Sequence, residues 1–223
     1  MEEIPARLRG TIRHFTTDMW DGYIFAVEEY VDEQKDVAAS LVIDRFHVAQ
    51  QYREGFDALR KKELKRLKQE LPEETYKRDC KQTLWPLRKN HNALQEDERM
   101  RLRRLFRHSP ELHQAYTFRE ELTAIFNQSL TPEEADRRLH AWVRKVQRHS
   151  LSCYDGFIRT LTRHWQRILN YFDARINSGF VEGFNNKIKV IKRRCYGIKK
   201  TTTLFQRLWL DLEGRHRFFM STP

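Results

Sequence analysis

The stretch Thr11–Val48, "TIRHFTTDMWDGYIFAVEEYVDEQKDVAASLVIDRFHV", decides the fold. Its opening, "TIRHFTTD", sets Ile12 and Phe15 among β-branched threonines and predicts a short strand ending at Asp18. "MWDGYIFAVEEYVDEQ" follows, with Trp20, Ile24, Val27 and Val31 at i, i+4, i+7 and i+11, the apolar stripe of an amphipathic helix. "SLVI" is a continuous apolar run of the kind buried in a parallel sheet, and Asp44 ends it. Strand, helix, strand is a βαβ-like unit. It places Asp18 and Asp44 at two strand ends.

From Gln50 onward the text turns charged and helical. "QQYREGFDALRKKELKRLKQEL" spaces Tyr52, Phe56, Leu59, Leu64, Leu67 and Leu71 mostly three and four apart. "TPEEADRRLHAWVRKVQRH" opens with Thr131 as N-cap, Pro132 at the first helical position and Glu134 three residues after the cap. A further helix is predicted from about Tyr154 to Asn170, and a final one in "TLFQRLWLDLEGRHRF", where Leu204, Leu208 and Leu212 recur. Trp85, Trp142 and Trp165 read as packing residues. The expected class is α/β, helix-rich: a βαβ part at 1–49, a large all-α insertion at 50–166, and C-terminal helices at 167–223.

Composition narrows the function. Among 223 residues, 42 Lys+Arg against 31 Asp+Glu give a formal net charge of +11, a surplus that attracts polyanions. There is no run of about 18 apolar residues, so a membrane span is not expected. "MEEIPARLRG" lacks the charge and apolar pattern of a signal peptide, and a cytoplasmic protein is the expectation. Cys80, Cys153 and Cys195 are far apart, odd in number and without CxxC spacing, which supports neither a disulfide framework nor a zinc site. They read as small buried or half-buried side chains.

The basic segment "NSGFVEGFNNKIKVIKRRCYG", Asn177–Gly197, carries one acid, Glu182. At 100° per residue, Phe180, Val181, Phe184, Ile188, Ile191 and Cys195 share an arc of about 100°, the predicted buried face. Glu182, Asn186, Lys189 and Arg193 fall opposite. "CYG" ends the helix, with Gly197 expected at C′; Tyr196 stacks on a base or, the commoner fate of a lone tyrosine, packs in the core. Two readings of Glu182 stand side by side. It stabilises the positive end of the helix dipole, or it holds a cation against phosphate, because a bare carboxylate repels phosphate and a metal-bridged one becomes a ligand. The second reading needs partner acids, and Asp18 and Asp44 are the candidates. Each also has a plain structural reading: Asp18 as cap of a helix beginning at Met19, Asp44 as a polar strand end.

The order "TTDMWDGY", "VIDRFHVAQ", a long helical insertion, then "NSGFVEGFNNKIKVIKRRCYGIKK" resembles the catalytic part of DDE transposases of bacterial insertion sequences, the ISL-three type. The resemblance covers nearly the whole chain and is most specific at its two ends. It implies a partial ribonuclease-H-like core in which two aspartates and a glutamate bind two Mg²⁺ (or Mn²⁺) ions. The third acid maps onto Glu182. "DRFH", Asp44–His47, is similar to the family's C/D-x-x-H signature, which gives the second metal-ligand role to Asp18; the alternative gives it to Asp44. His47 orients a phosphate or water in that scheme, or hydrogen-bonds Asp44. The family's first aspartate is expected upstream of Asp18, ahead of residue 1, so the resemblance implies an N-terminally truncated copy.

The same resemblance implies double-stranded DNA at insertion-sequence ends as partner, a homo-oligomer, and a bacterial, nucleoid-associated location. Asn186, Lys189, Lys192, Arg193 and Arg194 are the implied DNA contacts. Whether the chain cleaves DNA is left open between a metal-dependent enzyme and a DNA-binding remnant that modulates transposition. A third reading, a helical RNA- or ribosome-associated protein, predicts no paired strands at "TIRHFTT" and "SLVI".

Overall fold

The structure is a computed structural model that describes residues 6–33 and 38–219. It divides into two compact units, Met1–Ile176 and Asn177–Pro223.

In the first unit, α1 (Ala6–Arg9) precedes β1 (His14–Thr17), α2 (Asp21–Glu33) and β2 (Ser40–Ile43). β1 and β2 pair in parallel, from His14 opposite Ser40 to Thr17 opposite Ile43. The His14 ring nitrogen Nδ1 lies 2.8 Å from the Ser40 hydroxyl, tying the first pair together. Val42 and Ile43 are fully buried, as a continuous apolar run requires. α2 buries Ile24 and Val27 as the spacing predicts, but Trp20 stands ahead of the helix and is 61% exposed. Its ring packs edge-on against Tyr23 and lies over Gly22, where a Cβ would meet it at 2.5 Å. Gln34, the last residue of the predicted helix, lies outside the described residues.

Helices then follow almost without interruption: α3 (Arg45–Glu70), α4 (Glu73–Asp79), α5 (Leu84–Arg88), α6 (Glu96–His108), α7 (Pro110–Asn127), α8 (Pro132–Arg148), α9 (Asp155–Arg163) and α10 (Trp165–Ala174). The position 49/50, where the sequence changes texture, falls inside α3. One apolar core runs from Ile24 and the strands through α3, α7 and α8 to Phe172, so strands and helices share a single packed interior. α3 contributes Tyr52, Phe56, Leu59 and Leu67.

The caps explain the boundaries. Thr131 and Glu134 form the reciprocal capping box at α8 that the sequence predicts. Ser109 caps α7 through the Leu112 N–H and donates to the buried Glu63 carboxylate at 2.6 Å. Arg66, bonded to the same carboxylate, is the main reason the Glu63 pKa is lowered. The helix predicted across Tyr154–Asn170 is in fact two. It breaks at buried His164, whose φ/ψ of −111°/23° is non-helical, so α10 runs along β2 instead of continuing α9. There the Asn170 amide donates to the Leu41 carbonyl at 2.8 Å.

Trp142 and Trp165 pack as expected, donating their indole N–H groups to the Phe118 carbonyl and the Asp136 carboxylate. Trp85 does not. α5 is only five residues long and turns Pro86 and Leu87 inward, which leaves Trp85 68% exposed beneath the Arg88 guanidinium. Cys80 is buried and Cys153 half-buried; burial pushes their thiols up to about 11 and about 12, so both stay protonated.

The second unit pairs α11 (Gly179–Arg194) with α12 (Thr201–Phe219). Lys187 bonds Asp211 at 2.9 Å across them. Ile191 is the one buried residue of α11, while Phe184, Ile188 and Cys195 are half-buried. Phe180 and Val181, placed on the buried face by the helical wheel, are exposed instead. They lie in the first turn, beyond the stretch where Ile191 is buried and Lys187 is bonded to α12. Among the described residues Phe180 stacks on Phe184.

The C-terminus of α11 closes as a Schellman motif: the Gly197 N–H bonds the Lys192 carbonyl and the Tyr196 N–H bonds the Arg193 carbonyl. With Cys195 as C-cap, Tyr196 occupies C′ and Gly197 the position after it, one residue later than the sequence suggests. Both have positive φ, 50° and 79°. For a tyrosine this backbone costs about 1 kcal/mol. Tyr196 is also 99% exposed, not in the core.

Candidate metal ligands and nucleic-acid interface

Parallel pairing in this register brings the carboxyl ends of β1 and β2 level, and each is followed by an aspartate. Open sheets built from such units bind ligands outside that edge. The two aspartates differ in what holds them. Asp44 is 1% exposed; its Oδ1 accepts the Phe46 N–H at 2.8 Å and so caps α3, while its own N–H continues the ladder to the Thr17 carbonyl. Asp18 is half-buried, and its Oδ1 accepts the Trp20 N–H at 3.0 Å. Asp18 is therefore not the cap of a helix at Met19, because α2 starts at Asp21. The capping role belongs to Asp44.

His47 sits one turn into α3, half-buried, with its ring edge-on to exposed Phe46. A ring nitrogen of His47 and a carboxylate oxygen of Asp44 lie within 4.8 Å of each other. Arg45, between them, points away from both and bonds the Tyr171 hydroxyl and the Asn127 side-chain carbonyl. This anchors the start of α3 to α10 and α7.

In the second unit, Glu182 lies in the first turn of α11, exposed. The Ser178 hydroxyl donates to its Oε1 at 3.2 Å, and the Glu182 N–H bonds the Ser178 carbonyl. Asn177 accepts the Gly179 N–H at 2.9 Å, which fixes the entry to the helix. Asn177 and Ser178 are thus positioning residues to which no role was given from sequence. The signal was present as "NS" just ahead of the helix, Ser178 four residues before the acid.

Asn186, Lys189, Lys192, Arg193 and Arg194 are all exposed on α11. Among the described residues no ion pair engages these four cations. The basic runs of the helical middle behave differently. In "RKKELKRLK", Arg60 pairs with Asp57 and Arg66 with Glu63 and Glu70. In "RMRLRRLFRH", Arg99 and Arg103 face Glu96, and Arg101 bonds Gln82 and faces Asp97. The arginines named here are thus paired with acids of the same module.

The chain belongs to the transposase family with an ISL3-type DDE domain, whose members align with residues 1–208. It is 27% identical over 217 residues to the transposase for insertion sequence element IS1001 of Bordetella parapertussis, covering 97% of this chain and 51% of that protein. It is 28% identical over 140 residues to the transposase for insertion sequence element IS1557 of Mycobacterium tuberculosis, covering 63% of this chain and 31% of that protein. The chain thus spans about half the length, or less, of the curated relatives it matches. No solved structure matches it. No helix among the described residues is long and apolar enough to cross a membrane.

Proposed function

We propose that this chain carries part of a ribonuclease-H-like transposase core, and that Asp18 and Glu182 hold a divalent cation against a DNA phosphate. What supports the reading is Asp18 itself, a half-buried carboxylate at the carboxyl end of β1 in a chain of the transposase family; Asp44, which caps α3 through Oδ1, is the alternative ligand. Carboxylate oxygens are the donors a hard cation such as Mg²⁺ or Mn²⁺ takes, and no softer ligand is needed. The donor atoms are of the type such an ion takes. Two ions are what the complete set of three acids is expected to hold.

Such a cation, when bound, polarises a phosphoryl oxygen and lowers the pKa of a bound water, the chemistry of hydrolysis and strand transfer. The chain's own residues do the rest. Ser178 holds the Glu182 carboxylate by its Oε1, and Asn177 holds the backbone that starts the helix. Asp44 supports the scheme by capping α3, which sets His47 one turn above the sheet edge, where its ring orients a water or phosphate oxygen. Lys189, Lys192, Arg193 and Arg194, with Asn186, take backbone phosphates of double-stranded DNA at an insertion-sequence end; such contacts position the duplex without reading sequence.

A second reading is favoured by one observation. The α11 cations need no metal to bind DNA, so the chain acts as a non-catalytic DNA-binding protein that modulates a complete transposase. The two readings separate in one experiment, nicking of supercoiled DNA in Mg²⁺ or Mn²⁺. Metal-dependent nicking that is lost in Glu182→Gln, with DNA binding retained, supports the enzyme. Binding without nicking at any metal concentration leaves the modulator.

A further inference from the structure

We infer that Tyr196 is a base-stacking residue, whose ring takes an unpaired nucleobase of the DNA held by the cations around it. The inference rests on the reading of α11 as DNA-facing and adds a second kind of contact to it. Tyr196 is 99% exposed, and among the described residues no ring or cation contact engages it. A large aromatic in that state contributes nothing to folding by burial. Its backbone is at φ 50°, in a motif that glycine closes without strain, and a glycine stands at the very next position. Packing therefore explains neither the residue type nor its place.

The surroundings point to the ligand. Lys192, Arg193 and Arg194 precede the tyrosine and Lys199 and Lys200 follow it, all exposed. Cations on both sides neutralise the phosphates that would otherwise keep a base away, and an aromatic face interleaved with them is how single-stranded nucleic acid is held. Within a duplex both faces of every base are covered by its neighbours. The partner of Tyr196 is therefore a base already out of the stack, at a frayed or nicked end or in a single strand. Stacking uses the ring and not the hydroxyl.

The test uses the 223-residue chain, a single-stranded oligonucleotide carrying 2-aminopurine, and a blunt duplex of equal length. Tyr196→Phe is expected to bind both as the wild type does. Tyr196→Ala and Tyr196→Gly are expected to weaken single-strand binding about 5- to 150-fold and to lose the quenching of 2-aminopurine, with duplex binding within about twofold. Tyr196→Gly removes the backbone strain, so its thermal midpoint equals or exceeds the wild-type value, and the loss of binding is not misfolding. Wild-type single-strand affinity and quenching in both small variants would overturn the inference, as would equal losses in Tyr196→Phe. If the wild type binds duplex DNA in a salt-dependent way while the Tyr196 variants change nothing, the inference falls and the proposed function stands. If the wild type binds no DNA, both fall.

Discussion

α3 and α11 are both long helices with an acid at or within their first turn and a glycine inside the helix, and they invest their surfaces in opposite ways. α3 buries eight of its residues, among them the charged Arg60 and Glu63, and Arg60 and Arg66 of its basic run pair with acids on neighbouring turns. α11 buries one residue, leaves Phe180 and Val181 in solvent, and carries four cations that form no ion pair among the described residues. A helix held by so little core has a surface selected for what it meets outside the fold. The two acids differ in burial: Asp44 is buried and caps α3 through Oδ1, whereas Glu182 is exposed and accepts the Ser178 hydroxyl.

The glycines offer the sharpest way to break this comparison. A Cβ at Gly55 would meet the Cys153 carbonyl oxygen at 2.1 Å, a backbone atom that cannot step aside cheaply. Gly55→Ala should therefore destabilise by about 3 kcal/mol or more, read as a fall in the chemical-denaturation midpoint. Next in size, Ser109→Ala removes the α7 cap and one of the hydrogen bonds to buried Glu63. A loss of about 1–2 kcal/mol is expected. At Gly183, nothing lies within 4 Å of a Cβ. Gly183→Ala should stabilise α11 by about 0.5–1 kcal/mol, and local hydrogen exchange in α11 will show it more clearly than the global transition. Equal signs for the two glycines would remove the contrast between a sealed helix and an open one.

The smallest expected effect is a pH slope. His164 is buried, and burial lowers its pKa from the ordinary 6.5, with Arg163 and Arg167 acting in the same direction against Asp21 and Glu28. The folded state thus binds this proton less readily than the unfolded chain. Stability is fully present above the unfolded value and is lost as pH falls from 6.5 through the lower folded pKa. His164→Gln should flatten that part of the stability profile without changing it at pH 8. An unchanged acid slope would show that His164 is not held neutral by the fold.

How much of this was legible in the sequence depends on which force decided each feature. The βαβ unit, the α3 core residues and the Thr131 capping box were legible because each is set by local pattern: an apolar run, a period, a cap. The break at His164 was not, since it arises from α10 lying along β2, a tertiary contact that periodicity does not carry. Trp20 and Phe180 were given buried places by helical period, and Trp85 because a large aromatic is usually buried. Their exposure follows from helix ends and a short helix, where one flank has no partner. Of the candidate site, the acids and the cations were legible by type and spacing. The inversion of roles between Asp18 and Asp44 required the helix start at Asp21, two residues later than the pattern suggested. Ser178 and Tyr196 were visible as letters but not as a tether and an exposed ring.

We propose that Asp18 and Glu182 share a divalent cation, with Asp44 capping α3. The most direct test is Mn²⁺ titration, read by paramagnetic resonance of the free ion, on the wild type, Asp18→Asn and Glu182→Gln. The account predicts that each substitution weakens Mn²⁺ binding by at least about 10-fold with the thermal midpoint preserved. Wild-type Mn²⁺ affinity in both variants would contradict it.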